Sequence, residues 1–478
     1  MSDTKKKHPI SKNHPQYDAS RSKWRRCRDV IGGSDTVKAA GTAYLPMLGA
    51  HKTDSDGHSK YESYKARALF YGATKRTKIG LTGAATHKEP LFTTSSEEVL
   101  QLAKKIVRLL MEDIVAEQLE VGRLALVVNS RDGEDPTFAM WTTESVVNWR
   151  YDRVDSVNVL TLLVIEQELE KTTDSVFEVT TSVVRHSYWM DSGVCFFQSF
   201  EYKKETDDWI AVEDPIVLTS KSVVLDHIPA VIVGVTGVDL NRVEDPLLLD
   251  MADVNISHYQ NSADLEHGRH WTALPTAWAA GFMAHDREGN EVELSVGGES
   301  AWITEQTGAA CGYLEFSGAG LGHIAEGMRD KQAMMAVLGA RLIEEAKASV
   351  ESAETIRQRM LGDKSSLTYV ADTASEALTW VLQEMLWWKT PTYERPEDSD
   401  IIELDTTFID PSLSPADVTQ LMSALQNEGI SYSTFFWYLQ KGRVIPPERT
   451  EEEERALIDA GRPGNGPTDP YQAAFPGV

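Results

Sequence analysis

"PLLLDMADVNISHYQNSADLEHGRHW", residues 246–271, opens like an amphipathic helix and then crowds Asp253, His258, Asp264, Glu266, His267 and His270 into one segment. The spacing predicts a single helix over 246–270, and about 25 residues at about 1.5 Å rise make it roughly 37 Å long. Its polar load has three readings: a metal site, a catalytic cluster, or a long helix whose sides face neighbours and water. Asp264, His267 and His270 stand at i, i+3 and i+6, which fans them over about 120° of the helix surface, wider than a single row of side chains. His267 and His270 share a face, but an HxxH pair by itself is a weak metal signal. The pattern therefore favours surface or subunit-contact residues over a metal-dependent hydrolase built on Asp253, Asp264, His267 and His270.

Composition narrows the class. A chain of 478 residues exceeds one core of the usual size, so two to four subdomains are expected. No apolar run reaches 18 residues, which predicts no membrane span, and the Lys-rich start lacks the apolar stretch of a signal peptide. Cys27, Cys195 and Cys311 stand far apart without a CxxC pair, pointing to a reducing compartment and not to a disulfide framework. The net charge is −26, yet residues 1–40 carry about +6 and residues 389–478 about −9. A surface this acidic does not coat DNA, although an acidic wall can surround DNA without holding it.

Outward from the opening stretch, the texture changes in blocks. Residues 1–57 are polar and read as an N-terminal arm around a short helix at 22–31. One helix is predicted from Lys60 to Gly80 or Gly83, with Tyr64, Ala68 and Tyr71 on a face. Ser95-Ser96-Glu97-Glu98 caps a second helix that ends at Gly122. Residues 123–235 alternate Val, Thr and aromatics with turn chemistry such as "RDGEDP" and "DSG", predicting a mostly antiparallel β region. A small Gly-punctuated β unit is expected over 288–318, then a long helical block that Pro391 ends. Three further helices follow, and the last sixteen residues read as disordered.

Motifs for chemistry are missing. No GxxxxGK[ST], GxSxG or HExxH occurs, and "GAGLGH" (318–323) lacks the strand and helix of a dinucleotide unit. "EEEE" (451–454) reads as a solvated helix face. "WRRCR" (24–28) reads as a basic segment docking an acidic neighbour before it reads as a phosphate site. No enzymatic activity, catalytic residue, metal or cofactor is expected.

Four stretches in order resemble the portal proteins of tailed bacteriophages, in the branch carrying a domain of unknown function. They are "YKARALFYGATKRTKIGLTGAATHKEP" (64–90), "DPLLLDMADVNISHYQNSADLEHGRHWTALPTAWAAG" (245–281), "SAETIRQRMLGDKSSLTYVADTASEALTWVLQEMLWW" (352–388) and "EGISYSTFFWYLQKGRVIPP" (428–447). The first is like the family's Tyr-x-x-Arg-Ala helix, and the second like its long polar helix. The first and last 20 residues match nothing.

The resemblance implies an α+β portal fold with an α/β wing, a two-helix stem, a small β-containing clip and a helical C-terminal crown, assembled as a ring of about twelve copies. On this chain it assigns 1–57 to the arm, 58–245 to the wing, 246–270 and 320–342 to the stem, and 271–319 to the clip. It assigns 343–352 to a tunnel loop, 353–390 to a long wing helix, 391–460 to the crown and 461–478 to a disordered tail. It also implies a structural role: a channel at one capsid vertex through which the terminase packages double-stranded DNA and from which the genome is later ejected. Expected partners are further copies of the chain, the terminase large subunit, major capsid and scaffold proteins, tail connector or adaptor proteins, and DNA passing without sequence-specific binding. The expected location is the virion, after assembly in the host cytoplasm, with no membrane. Arg341, Glu344, Glu345 and Lys347 are the DNA-channel candidates, their mixed charge giving a contact that slides. The alternatives are the hydrolase above, using Asp264, His267 and His270, and a minor capsid protein that forms no channel.

Overall fold

The computed structural model describes residues 7–53, 55–130, 135–154, 157–172, 177–274, 276–282, 306–314, 317–342, 365–396, 398–406, 422–423, 431–441 and 449–460. The chain divides into a unit of residues 1–406 and one of residues 407–478. It is mixed α+β, and no closed barrel occurs among the described residues.

The larger unit begins with helices α1 (Pro15–Gly32), α2 (Ser34–Ala39), α3 (Gly49–Thr53), α4 (Gly57–Arg67) and α5 (Ala73–Thr86). The segment expected as an arm is built into the core. Cys27, Val30, Val37, Tyr44, Leu45, Tyr61 and Tyr64 are buried in one cluster with Ala252, Ile256, Tyr259 and Ala263 of the helix that the opening stretch forms. The charges of "WRRCR" serve that docking. Arg26 pairs with Asp253 at 2.7 Å, and Arg28 reaches Glu117, Glu120 and Glu144.

The helix expected from Lys60 to Gly80 or Gly83 is instead two, α4 and α5, broken at 68–72, and the second ends at Thr86. Side chains from another element hold the break open. Leu69 N donates to Ser262 Oγ (2.9 Å), Asn255 Nδ2 donates to the Tyr71 carbonyl (2.8 Å), and Asn255 Oδ1 accepts from Thr74 Oγ1 (3.0 Å). The first two of these bonds satisfy backbone groups that a continuous helix would have paired internally.

Strand β1 (Leu91–Thr93) precedes α6 (Glu97–Val121). Ser96 Oγ accepts from Val99 N at 3.3 Å, and Gly122 ends the helix in the left-handed region at φ 79°. That conformation costs glycine little and other residues more. Ser96→Ala is expected to lower stability by about 1 kcal/mol, read as a smaller urea midpoint with an unchanged m-value.

The β region runs β2 (Arg123–Asn129), β3 (Thr137–Thr142), β4 (Val146–Val154), β5 (Val157–Thr172), β6 (Val179–Asp191), β7 (Val194–Lys203), β8 (Asp208–Ala211), β9 (Ile216–Val217), β10 (Thr219–Ser220), β11 (Val223–Val224) and β12 (Ala230–Gly234). All its pairings are antiparallel among the described residues. Two larger sheets result, ordered β12-β2-β3 and β4-β5-β6-β7-β8, with β9 beside β7.

The opening stretch forms α7 (Leu249–Ala273), followed by β13 (Thr276–Ala280), β14 (Ala310–Leu314) and α8 (Leu321–Arg341). Helix α9 (Ser366–Lys389) starts at the cap Ser365, so the earlier part of the helix expected over 353–390 lies outside the described residues. Gln118 Nε2 of α6 donates to Thr373 Oγ1 of α9 (2.6 Å) and to the Gly234 carbonyl of β12 (2.7 Å), tying both helices to the central sheet. Strand β15 (Ile401–Glu403) returns to pair with β1, so part of the 391–460 segment belongs to the larger unit.

The smaller unit contains α10 (Tyr432–Lys441) and α11 (Glu451–Ala460). Arg455 lies over the Tyr432 ring at 4.5 Å, and Gln440 Nε2 donates to the Arg449 carbonyl at 3.1 Å. Among the described residues no helix is long and apolar enough to cross a membrane.

Candidate functional site

Helices α7 and α8 form an antiparallel pair with the β13–β14 sheet at one end. The register is read from the contacts: Met251 meets Gly339, Ser257 and His258 meet Lys331 and Gln332, Asn261 meets Gly327, and Gly268 meets Leu321. A Cβ at residue 268 would collide with Leu321, and one at 339 would press on Thr77 and Met251 at 3.2–3.3 Å. Glycine at these two places lets the backbones approach. β13 and β14 pair antiparallel from Thr276–Leu314 to Ala280–Ala310.

The first half of α7 is buried in the core, but α8 and the sheet end bury little of their apolar surface. Of α8, only Met335 and Gly339 are buried, while Met334 and Val337 stay about half exposed. At the sheet end, Trp271, Leu274, Trp278, Tyr313 and Leu314 are exposed, Tyr313 by 60%. These large apolar side chains are grouped at one end of the hairpin and are not scattered singly over the surface.

The polar residues of α7 take different hydrogen-bond partners, although Asp264 and His267 both meet Tyr64. Asp253 pairs with Arg26 of α1, and His258 Nε2 stands 3.1 Å from Gln332 Nε2 of α8. Asp264 Oδ1 accepts from Tyr64 Oη at 2.6 Å, and Glu266 pairs with Arg269. His267 Nε2 accepts from Trp271 Nε1 at 3.1 Å, and His270 Nε2 lies 3.3 Å from Arg67. Among the described residues no group of three or more His, Cys, Asp and Glu is placed to hold a metal ion. Burial lowers the pKa of His258, helped by Lys331; burial also lowers that of His267, helped by Arg67 and His51. Burial, then the bond to Asp264, pushes the Tyr64 phenol up.

Sequence reasoning missed the partners. Tyr64, Arg67 and His51 reach α7 from helices about 200 residues earlier, and no spacing within 246–271 announces them. Of the channel candidates, Arg341 is the exposed last residue of α8; Glu344, Glu345, Lys347 and the segment 343–352 lie outside the described residues. The described ends on either side of 343–364 meet, since Leu367 N donates to the Leu342 carbonyl at 3.1 Å.

Comparison with curated proteins finds no match. Residues 246–389, which span the α7–α8 hairpin and α9, match a domain of unknown function, DUF4055, a family found in phage-type proteins.

Proposed function

We propose that this chain is the subunit of a phage portal, a ring-shaped conduit for double-stranded DNA at one capsid vertex. The observation that carries the reading is the α7–α8 hairpin, with its small sheet and the exposed apolar side chains of its sheet end, inside the segment that matches a family found in phage-type proteins. In a closed ring each hairpin lies between two others, and a heterologous contact covers two different faces of every copy. The net charge of −26 fits a channel that must let phosphates pass without holding them. Arg341 and the neighbouring Glu344, Glu345 and Lys347 are the proposed contacts to the moving DNA. The terminase large subunit, capsid and scaffold proteins and the tail adaptor are the proposed partners, and ATP hydrolysis belongs to the terminase. In the hydrolase alternative Asp264, His267 and His270 would act together, whereas each is engaged by a different residue.

Native mass spectrometry of the purified chain is expected to show a closed particle of about 640 kDa, about twelve copies of 53.1 kDa, with a central hole in low-resolution images. Monomer or dimer alone at micromolar concentration, with and without added salt, refutes the reading. A large assembly without a hole favours the minor capsid alternative.

A further inference from the structure

Arg123 opens β2 in the sheet β12-β2-β3 and is 2% exposed. Its guanidinium carbon stands 3.7 Å from the centre of the Trp149 ring, which belongs to β4 of the other larger sheet. The His14 ring stacks on the same indole at 4.0 Å. Nε, Nη1 and Nη2 of Arg123 are all buried, and none has an acceptor among the described residues. Two further buried polar atoms beside them share that position. One is Trp149 Nε1. The other is Oγ1 of Thr143, which stands one step beyond the Leu124–Thr142 pair, as Arg123 does on the facing strand.

Burial lowers the Arg123 guanidinium to about 10, so it keeps its charge at neutral pH. A positive charge taken out of water calls for a negative partner, and stacking on an aromatic face offsets only part of the cost. The titratable groups beside Arg123 supply none. Burial, then Asp239, raises the Tyr151 phenol, which donates to Asp239 Oδ1 at 3.0 Å. The same carboxylate oxygen accepts from Ile232 N at 3.3 Å, so Asp239 takes its bonds from Tyr151 and the backbone. Burial lowers the His14 imidazole, helped by the Arg123 charge.

We propose that Arg123, Trp149 and Thr143 form an internal binding site for one small monovalent anion of the halide class, such as chloride, which ties the two larger sheets together. The donor set fixes the class. A guanidinium and an indole N–H can only donate, and a hydroxyl can turn to donate, so the ligand is an acceptor alone. One cationic group matches one negative charge, whereas a phosphate or sulfate brings a second that no other cation here balances. Arg123, Thr143 and Trp149 are 2%, 0% and 1% exposed, so the ion is enclosed as the chain folds, and stability rises with its concentration.

Urea unfolding of the full chain tests this at constant ionic strength while sodium chloride replaces sodium gluconate, whose anion is too large for the enclosure. The unfolding constant of the parent is expected to fall about tenfold for each tenfold rise in chloride above half-saturation, as one ion leaves with each unfolding chain. Sodium bromide should act alike, and crystals grown in it should show an anomalous peak beside the Arg123 guanidinium. Arg123→Met keeps the length of the side chain and removes the charge, and it should show neither the halide dependence nor the peak. Equal stability in chloride and gluconate overturns the proposal, as does a bromide peak found only elsewhere. A halide dependence that persists in Arg123→Met also overturns it, because the ion then binds at another place. Should Arg123→Met fail to fold, the halide dependence and the bromide peak of the parent decide.

Discussion

Arg28→Ala is expected to destabilise the chain by about 3–5 kcal/mol, the range for removing one partner of a buried ion pair. Arg28 donates to Glu117 at 2.5 and 2.9 Å and to Glu144 at 2.9 and 3.0 Å, and it stands 3.1 Å from Glu120. The side chains of Glu117 and Glu120 are 8% and 7% exposed, so two carboxylates depend on this guanidinium; Lys78 remains beside Glu120 when it is gone. Glu144 lies nearer to water and contributes less. Burial already holds the Glu117 carboxyl above its ordinary range despite Arg28, and losing the cation raises it further. A raised carboxyl costs stability as pH climbs past its unfolded value, so the deficit of the variant should be larger at pH 7.5 than at pH 5. Urea unfolding of parent and variant at both pH values measures this. Glu117→Gln in the Arg28→Ala background should recover part of the loss. A variant within about 1 kcal/mol of the parent would show that the network does not secure α1.

Trp24→Ala carries a second large expected loss, about 3–5 kcal/mol for a fully buried large side chain. Trp24 is 0% exposed and packs edge-on to Tyr17 at 5.5 Å, and Tyr17 Oη donates to the Glu144 carbonyl at 3.0 Å. The cavity would open under α1, which packs against α2, α5, α6 and α7. Were residues 1–57 a detachable arm, the same change would leave the body unaffected. The two outcomes separate by the urea midpoint at constant m-value. Because α1 carries both Trp24 and Arg28, their losses in one chain are not expected to add.

What sequence alone determined is local. Ser96 and Gly122 bound α6 because a cap and a left-handed glycine act within one turn of the residues that need them. The run at 246–270 was legible as one long helix, and the alternation over 123–235 as antiparallel strands, because both are periodicities of the chain with itself. The docking of "WRRCR" onto acidic residues was legible as a preference between two readings, although Asp253, Glu117, Glu120 and Glu144 could not be named from it. Tertiary structure decided the rest. Asn255 and Ser262 capture the backbone at 69–74 and split a predicted helix in two; the bonds span nearly 200 residues and leave no trace in the spacing of 60–86. The pairing of β1 with β15 joins residues 91–93 to 401–403, where three-residue strands have too little pattern to declare a partner. The polar crowd on α7 resolved in the same way. Its members look like one site in sequence, but their hydrogen bonds go to different partners, Arg26, Tyr64, Arg67 and Gln332 among them, which no spacing within the helix announces.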